Sequence, residues 1–286
     1  MGSRPPPKFI VKNSKSLIRD MFSATMTRSV ITLTLIACLT IGCGSSGSGG
    51  GGQTQGPYNV VGNWQVTFSS AVGASSSGLG AIDSAGVAAF FDNSGDIFQL
   101  PTITRASSFS GNLNAYAVNG DPFAGGVYII TDPAQGTVTS ASSISGTFTA
   151  SGSSGTFSLT PFSPLTGGGA APSGAYNAKL LGFSDVVSFN FGSSGAFSGS
   201  DSPNLQAPGC GFNGTLNQQG SSNVFDISYT TMASNSCIAY TVTGTAFQSK
   251  NDYFNVNNGA DASYYYAMIL TSSVQNVRPY VIVIYQ

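Results

Sequence analysis

Gly62-Asn63-Trp64-Gln65-Val66-Thr67-Phe68 is the stretch whose reading decides the fold. Its large apolar side chains fall at every second position. On an extended strand that spacing puts Trp64, Val66 and Phe68 on one face and Gln65 and Thr67 on the other. Similar short runs follow at 80–82, 87–91, 97–104, 109–118, 126–131, 144–150 and 156–161, each broken by Gly, Ser, Asn or Pro. No stretch carries the 3.6-residue period of a useful helix, and the 37 glycines of the 286-residue chain would make helices costly. Alternating strands joined by tight turns predict antiparallel sheets.

A Gly-rich interruption at 165–173 (Leu165-Thr166-Gly167-Gly168-Gly169-Ala170-Ala171-Pro172) reads as a linker, and the pattern restarts behind it. The second set of runs is 173–181, 186–191, 196–200, 211–216, 224–230, 240–247, 252–256, 264–270 and 280–285. The expected fold is therefore all-β, with two halves at 58–164 and 174–286. Each carries roughly seven to nine strands, a number that suits a sandwich or a small barrel. The halves echo one another only locally, as Phe109-Ser110-Gly111-Asn112-Leu113 and Phe212-Asn213-Gly214-Thr215-Leu216. The last run, Val281-Ile282-Val283-Ile284-Tyr285, is apolar on both faces and reads as a strand covered on both sides.

The segment ahead of the first half has a different character. Arg28 and the apolar run 30–41 have the make-up of a secretion signal, and the run is shorter than the roughly 20 residues of a spanning helix. Thr40-Ile41-Gly42-Cys43 resembles a lipobox, in which the Cys is acylated and becomes the mature N-terminus. Leu35-Ile36-Ala37-Cys38 fits the same pattern. Processing at Cys43 is preferred, because it keeps the apolar core inside the signal and leaves a purely Gly/Ser tether, whereas Cys38 would leave Leu39-Thr40-Ile41 exposed. The reading is thus a signal at 1–42, whose residues ahead of Met26 are either a long basic n-region or an upstream start that the cell does not use, then a lipidated Cys and flexible linker at 43–57. Gly44 stands where an inner-membrane-retention Asp would sit, which points to the outer membrane.

Composition narrows the chemistry. Beyond Cys43 only Arg105, Lys179, Lys250 and Arg278 oppose ten aspartates, a formal −6, so nucleic acid is not an expected partner. The chain holds no His and no Glu. Without imidazole there is no Ser-His-Asp or Cys-His activation and no His-based metal site. Acid–base work would fall to Asp alone, and an Asp-based glycoside hydrolase would need two carboxylates converging in a cleft. No cofactor is expected and catalysis is not. Cys210 and Cys237, the pair left after processing, predict one disulfide in an oxidising compartment, contributing roughly 3.6 kcal/mol in the chain-entropy model. Neither lies in a C-x-x-C pair that would favour a redox role.

Two constellations are candidate binding elements. Asp92 and Asp96, in Phe91-Asp92-Asn93-Ser94-Gly95-Asp96, have the oxygen spacing that opens a calcium loop, without the later Glu that closes one; a hairpin turn explains the same letters. Tyr264 and Tyr266 share one strand face and, with Trp64, are candidates for a sugar-stacking platform or the mouth of an apolar pocket; rings that simply cover a sheet are the alternative. A membrane-spanning barrel is disfavoured, since the strands are short and polar and the chain ends in Gln286.

The pattern Gly209-Cys210-Gly211-Phe212-Asn213-Gly214-Thr215-Leu216, then Asn223-Val224-Phe225-Asp226-Ile227, Cys237 and Thr241-Val242-Thr243-Gly244-Thr245-Ala246, is similar to the C-terminal half of a group of Gly/Ser/Thr-rich bacterial envelope lipoproteins, mostly uncharacterised. Gly78-Leu79-Gly80-Ala81-Ile82-Asp83-Ser84-Ala85-Gly86 with Phe90-Phe91, and Ile144-Ser145-Gly146-Thr147-Phe148 with Gly155-Thr156-Phe157-Ser158-Leu159-Thr160, resemble their N-terminal half. The resemblance implies a lipid-anchored β protein of the envelope and brings no activity with it. The expected role is a non-catalytic binding or surface-interaction module, with a membrane contact through its anchor. A glycan, an apolar ligand or an envelope protein is the expected partner class. Whether the two β halves are hollow or filled separates these.

Overall fold

The computed structural model describes residues 58–285, apart from 71–74, 93, 104–106, 119–120, 124–125, 151–152, 164–170, 182–185, 201–209, 234–236, 238, 249–265 and 274–277. Its regular structure is antiparallel β, arranged as two closed eight-stranded barrels. The first comprises β1 (Gly62–Ser70), β2 (Ser75–Ile82), β3 (Ala88–Phe91), β4 (Ile97–Leu100), β5 (Ser108–Tyr116), β6 (Ile129–Ser140), β7 (Ser143–Ala150) and β8 (Ser153–Pro161). The second comprises β9 (Gly174–Leu180), β10 (Val186–Phe191), β11 (Ala196–Ser200), β12 (Gly211–Gln218), β13 (Val224–Thr231), β14 (Thr241–Gln248), β15 (Tyr266–Ser272) and β16 (Tyr280–Tyr285). Each is an up-and-down meander whose last strand pairs with its first: Val66 lies opposite Leu159, and Val283 opposite Lys179. The two halves expected from the sequence are therefore barrels, and closure leaves neither sheet with a free edge.

Two expectations about strand limits change. The serine run Ser75-Ser76-Ser77 belongs to β2, paired with Ser69, Phe68 and Thr67. Asp132-Pro133 has the composition of a turn but lies within β6, where Pro133 comes just before the first rung to β7, Ala134 with Phe148. The run 252–256 lies outside the described residues.

An eight-stranded barrel has an interior just wide enough for its own side chains. Here that space is taken by rings. Trp64, Phe68, Phe90, Phe98, Phe109, Phe148 and Phe157 fill the first barrel, and Tyr176, Phe189, Phe191, Phe197, Phe212, Phe225, Tyr229, Tyr266 and Tyr280 fill the second, all at most 8% exposed. Rings this large fit because glycines lie across from them. Gly146 faces Phe157 while Phe148 faces Gly155; Phe197 faces Gly214 while Gly199 faces Phe212. A methyl group added at any of these four glycines would run into the opposing ring. The repeated Phe-x-Gly and Gly-x-Phe spacing is thus a packing device, a ring covering the bare backbone of its cross-strand neighbour.

The barrels share local architecture. Between β2 and β3, Gly86 N donates to Asp83 O at 3.0 Å and Gly86 O accepts from Ile103 N at 2.8 Å. Between β10 and β11, Gly195 N donates to Gly192 O at 3.2 Å and Gly195 O accepts from Leu216 N at 2.8 Å. Gly86 and Gly195 have φ of +83° and +79°, and a Cβ at either would strike the carbonyl of the residue whose amide donates to it, Ile103 or Leu216. The second-to-third-strand corner is the same structure twice.

A third apolar cluster joins the barrels. The outer faces of β2, β3 and β4 contribute Leu79, Ala81, Ala89, Phe91 and Ile97; those of β13 to β16 contribute Val224, Phe247, Ala267, Ile269, Val281 and Val283. Phe247 sits at its centre, with ring centroids 6.1 Å from Phe91 and 6.5 Å from Phe162. Both faces of β16 are consequently covered, Ile282 and Ile284 by the barrel interior and Val281 and Val283 by the seam. Polar contacts stitch the rim: Asn63 Nδ2 donates to Gln248 O at 2.9 Å, Ser84 N to Gln219 Oε1 at 2.7 Å, and Arg278 to Ala117 O at 3.2 Å with its guanidinium 3.9 Å from the Tyr128 ring.

Two stability predictions follow from this packing. Gly155→Ala should destabilise by about 1–3 kcal/mol through overpacking against the Phe148 ring, the group a Cβ there would meet, and adding Phe148→Leu should recover part of that loss. Denaturant titration of the two single variants and the double variant checks it. Phe247→Ala should cost about 3–5 kcal/mol and lower the melting of both barrels together; calorimetry showing loss in the second barrel alone would deny the seam its role.

Candidate functional site

A ligand-binding barrel holds its ligand in its interior. Trp64 is 2% exposed, and its indole Nε1 donates to Val60 O at 2.8 Å. Tyr266 is 4% exposed, on the inward face of β15, and its hydroxyl accepts from Gln248 Nε2 at 2.8 Å. The Tyr229 and Tyr280 hydroxyls lie 2.8 Å apart within the same core. These phenols meet one another's polar tips inside the barrel, as buried tyrosines require. Neither Trp64 nor Tyr266 offers a ring face to solvent. Tyr264 lies outside the described residues, as do Cys38 and Cys43.

The acidic residues are engaged in the turns that position them. Asp92 Oδ1 accepts from Ser94 N at 2.9 Å and Asp96 N at 3.1 Å, an Asx turn closing the β3–β4 hairpin. Asp96 is fully buried and accepts from Val118 N at 2.9 Å, tying the chain after β5 back to that hairpin. Asp83 accepts from Val87 N at 2.8 Å, and Asp226 from Gln219 Nε2 at 2.6 Å. Asp92 and Asp96 thus come together as a folded turn in which carboxylate oxygens bind backbone amides. Cys210 and Cys237 also meet: their Cα atoms are 5.7 Å apart, their sulfurs are bonded, and Cys210 is 1% exposed.

One carboxylate stands apart. Asp132 lies on the inward row of β6, opposite Leu113, and its Oδ2 is buried with no hydrogen-bond partner. Burial raises its pKa above the ordinary carboxylate value. The sequence hides this residue, since Asp-Pro reads as a turn; only the register of β5 with β6 turns it inward.

Outside, away from the seam, β7 and β8 of the first barrel present one chemistry. All eight outward positions of β7 and β8 are hydroxyls, namely Ser143, Ser145, Thr147, Thr149, Ser154, Thr156, Ser158 and Thr160, and all are exposed. They continue into Thr67 and Ser69 of β1, Gln135 and Thr137 of β6 and Ser108 and Ser110 of β5, which line one shallow groove across five strands. A second, smaller groove on β9 to β12 is lined by Asn177, Ser188, Asn190, Ser198 and Met232 among others. Among the described residues neither groove has a charged lining residue. The signal for the first groove was in the sequence, as the Ser/Thr alternation that fills the gaps between Ile144, Gly146 and Phe148 and between Gly155, Phe157 and Leu159.

No family model matches the chain, and neither the search of curated proteins nor that of solved structures finds a match.

Asp132 generates a pH prediction with a definite sign. A carboxyl whose pKa is higher in the folded than in the unfolded chain binds its proton more tightly when folded. Its stabilising contribution is present below the unfolded value and is lost as pH rises through the folded one. Asp132→Asn should therefore flatten the fall in melting temperature from acidic to neutral pH and leave the neutral value equal or higher. Thermal melts across that range check it, and an unaltered pH profile would contradict it.

Proposed function

We propose that the mature chain is a non-catalytic, lipid-anchored surface-interaction module of the bacterial envelope, held through Cys43 in the outer membrane and displayed on its Gly/Ser tether. The observation that carries this reading is that both barrel interiors are filled by the chain's own rings. A partner would then meet the protein on its outer faces, which is the behaviour of an interaction module rather than of a ligand carrier. The lack of His and Glu anywhere in the chain supports a role without proton-transfer chemistry. The Cys210–Cys237 disulfide supports an oxidising compartment. The formal −6 beyond Cys43 argues against nucleic acid as the partner.

The test is metabolic labelling with an alkyne fatty acid in a bacterial host. The full chain should take up label and sediment with outer membranes, and Cys43→Ala should do neither. Label retained in Cys43→Ala and removed by Cys38→Ala would move the anchor, and an unlabelled wild type would overturn the anchored reading.

A further inference from the structure

We propose that the thioether of Met232 is a reversible oxidation site for hydroperoxides, placed where its conversion to the sulfoxide changes the chemistry of the second barrel's groove. Such a site does not depend on the lipid anchor. Beyond Cys43 the chain carries four sulfur-bearing side chains, Cys210, Met232, Cys237 and Met268. The two cysteine sulfurs are already bonded to each other. Met268 is fully buried in the core of the second barrel. Met232, just past the end of β13, is 49% exposed, so it is the reduced sulfur that a dissolved oxidant reaches.

The neighbours of Met232 fix how its sulfur is presented. Met232 N donates to Gly211 O at 2.8 Å, and Gly211 leaves room for the thioether methyl, which a Cβ there would strike. Asn213 Nδ2 donates to Met232 Sδ at 3.5 Å. A thioether sulfur is a weak acceptor with two lone pairs, and this contact covers one of them. The other faces solvent. Oxidation then needs only the hydroperoxide: the open lone pair attacks its distal oxygen, and the S–O bond forms as the O–O bond breaks. The proton of the transferred oxygen passes to the leaving one, which departs as water or an alcohol. Sulfur gives up two electrons and the peroxide takes them. Because attack comes from the uncovered side, one of the two sulfoxide epimers forms in excess.

The product is polar and chiral where the groove had an apolar side chain beside Asn177, Ser188 and Ser198. Met232 lies outside the barrel's core cluster, so the change is confined to the surface that the second barrel presents. Methionine sulfoxide reductases, each taking one epimer, return the thioether.

The experiment treats the purified, disulfide-intact protein with hydrogen peroxide, digests it, reads peptide masses, and offers the peptides separately to the S-specific and the R-specific methionine sulfoxide reductase. One oxygen should add at Met232 while Met268 stays unmodified, and Met232→Leu should lose that uptake with an unchanged melting temperature. One reductase should restore most of the oxidised wild-type peptide, whereas for Asn213→Ala the two should restore comparable shares. No uptake at Met232, oxidation of Met268 alongside it, equal restoration of the wild type by both enzymes, or an Asn213→Ala epimer ratio matching the wild type would each overturn the assignment.

Discussion

The space inside a closed eight-stranded barrel governs this molecule. That interior admits roughly the side chains of its own strands and little more. A sequence that fills it with phenylalanine and tyrosine must give each ring somewhere to lie, and here the place is a glycine on the neighbouring strand: Gly146 beneath Phe157, Gly155 beneath Phe148, Gly199 beneath Phe212, Gly214 beneath Phe197. The glycine content that excludes helices is therefore the same feature that lets large rings pack. With the interior committed to structure among the described residues, the outer faces are what the barrels present to their surroundings.

The outside is divided as sharply. Among the described residues, clustered apolar side chains on the outer faces lie where the barrels meet, and hydroxyls and amides dominate elsewhere, with Val87, Ile129 and Met232 as isolated exposed apolar residues. Because the two barrels share the corner around Gly86 and Gly195, their faces can be compared strand by strand. The first barrel joins the seam through its second to fourth strands, the second through its fifth to eighth. Such a contact is head-to-tail, and if it were repeated on the unused faces it would propagate into a filament. The unused faces are the two polar ones. Serine, threonine and asparagine at those positions give those faces no apolar patch with which to repeat the seam.

The period-two alternation around Trp64 was enough to read the class of the fold, and the Gly-rich break at 165–173 was enough to read its two halves. The coverage of the last strand on both faces was also legible, because an apolar residue at every position admits no exposed side. Closure was not. The rungs from β1 to β8 and from β16 to β9 join segments far apart in the chain, and nothing in either strand alone separates a barrel from a sandwich. Local composition misled where register overrode it: Asp132-Pro133 and Ser75-Ser76-Ser77 look like turns and are strands. Tyr266 shows the same limit in the candidate site, since alternation says which residues share its face but not that the face turns inward to meet Gln248. The Asp92 and Asp96 spacing has two explanations in the sequence, and in the fold their carboxylates accept from backbone amides of the turn and of the chain after β5.

Trp64 is the one tryptophan in the chain, and it lies inside the first barrel at 2% exposure. Its fluorescence reports directly on whether that interior is closed and full. The account predicts blue-shifted emission, resistance to acrylamide quenching, and no change when fatty acids or other apolar ligands are titrated in. A saturable, stoichiometric change in Trp64 emission on adding an apolar ligand would show a cavity where the barrel is held to be filled, and would contradict it.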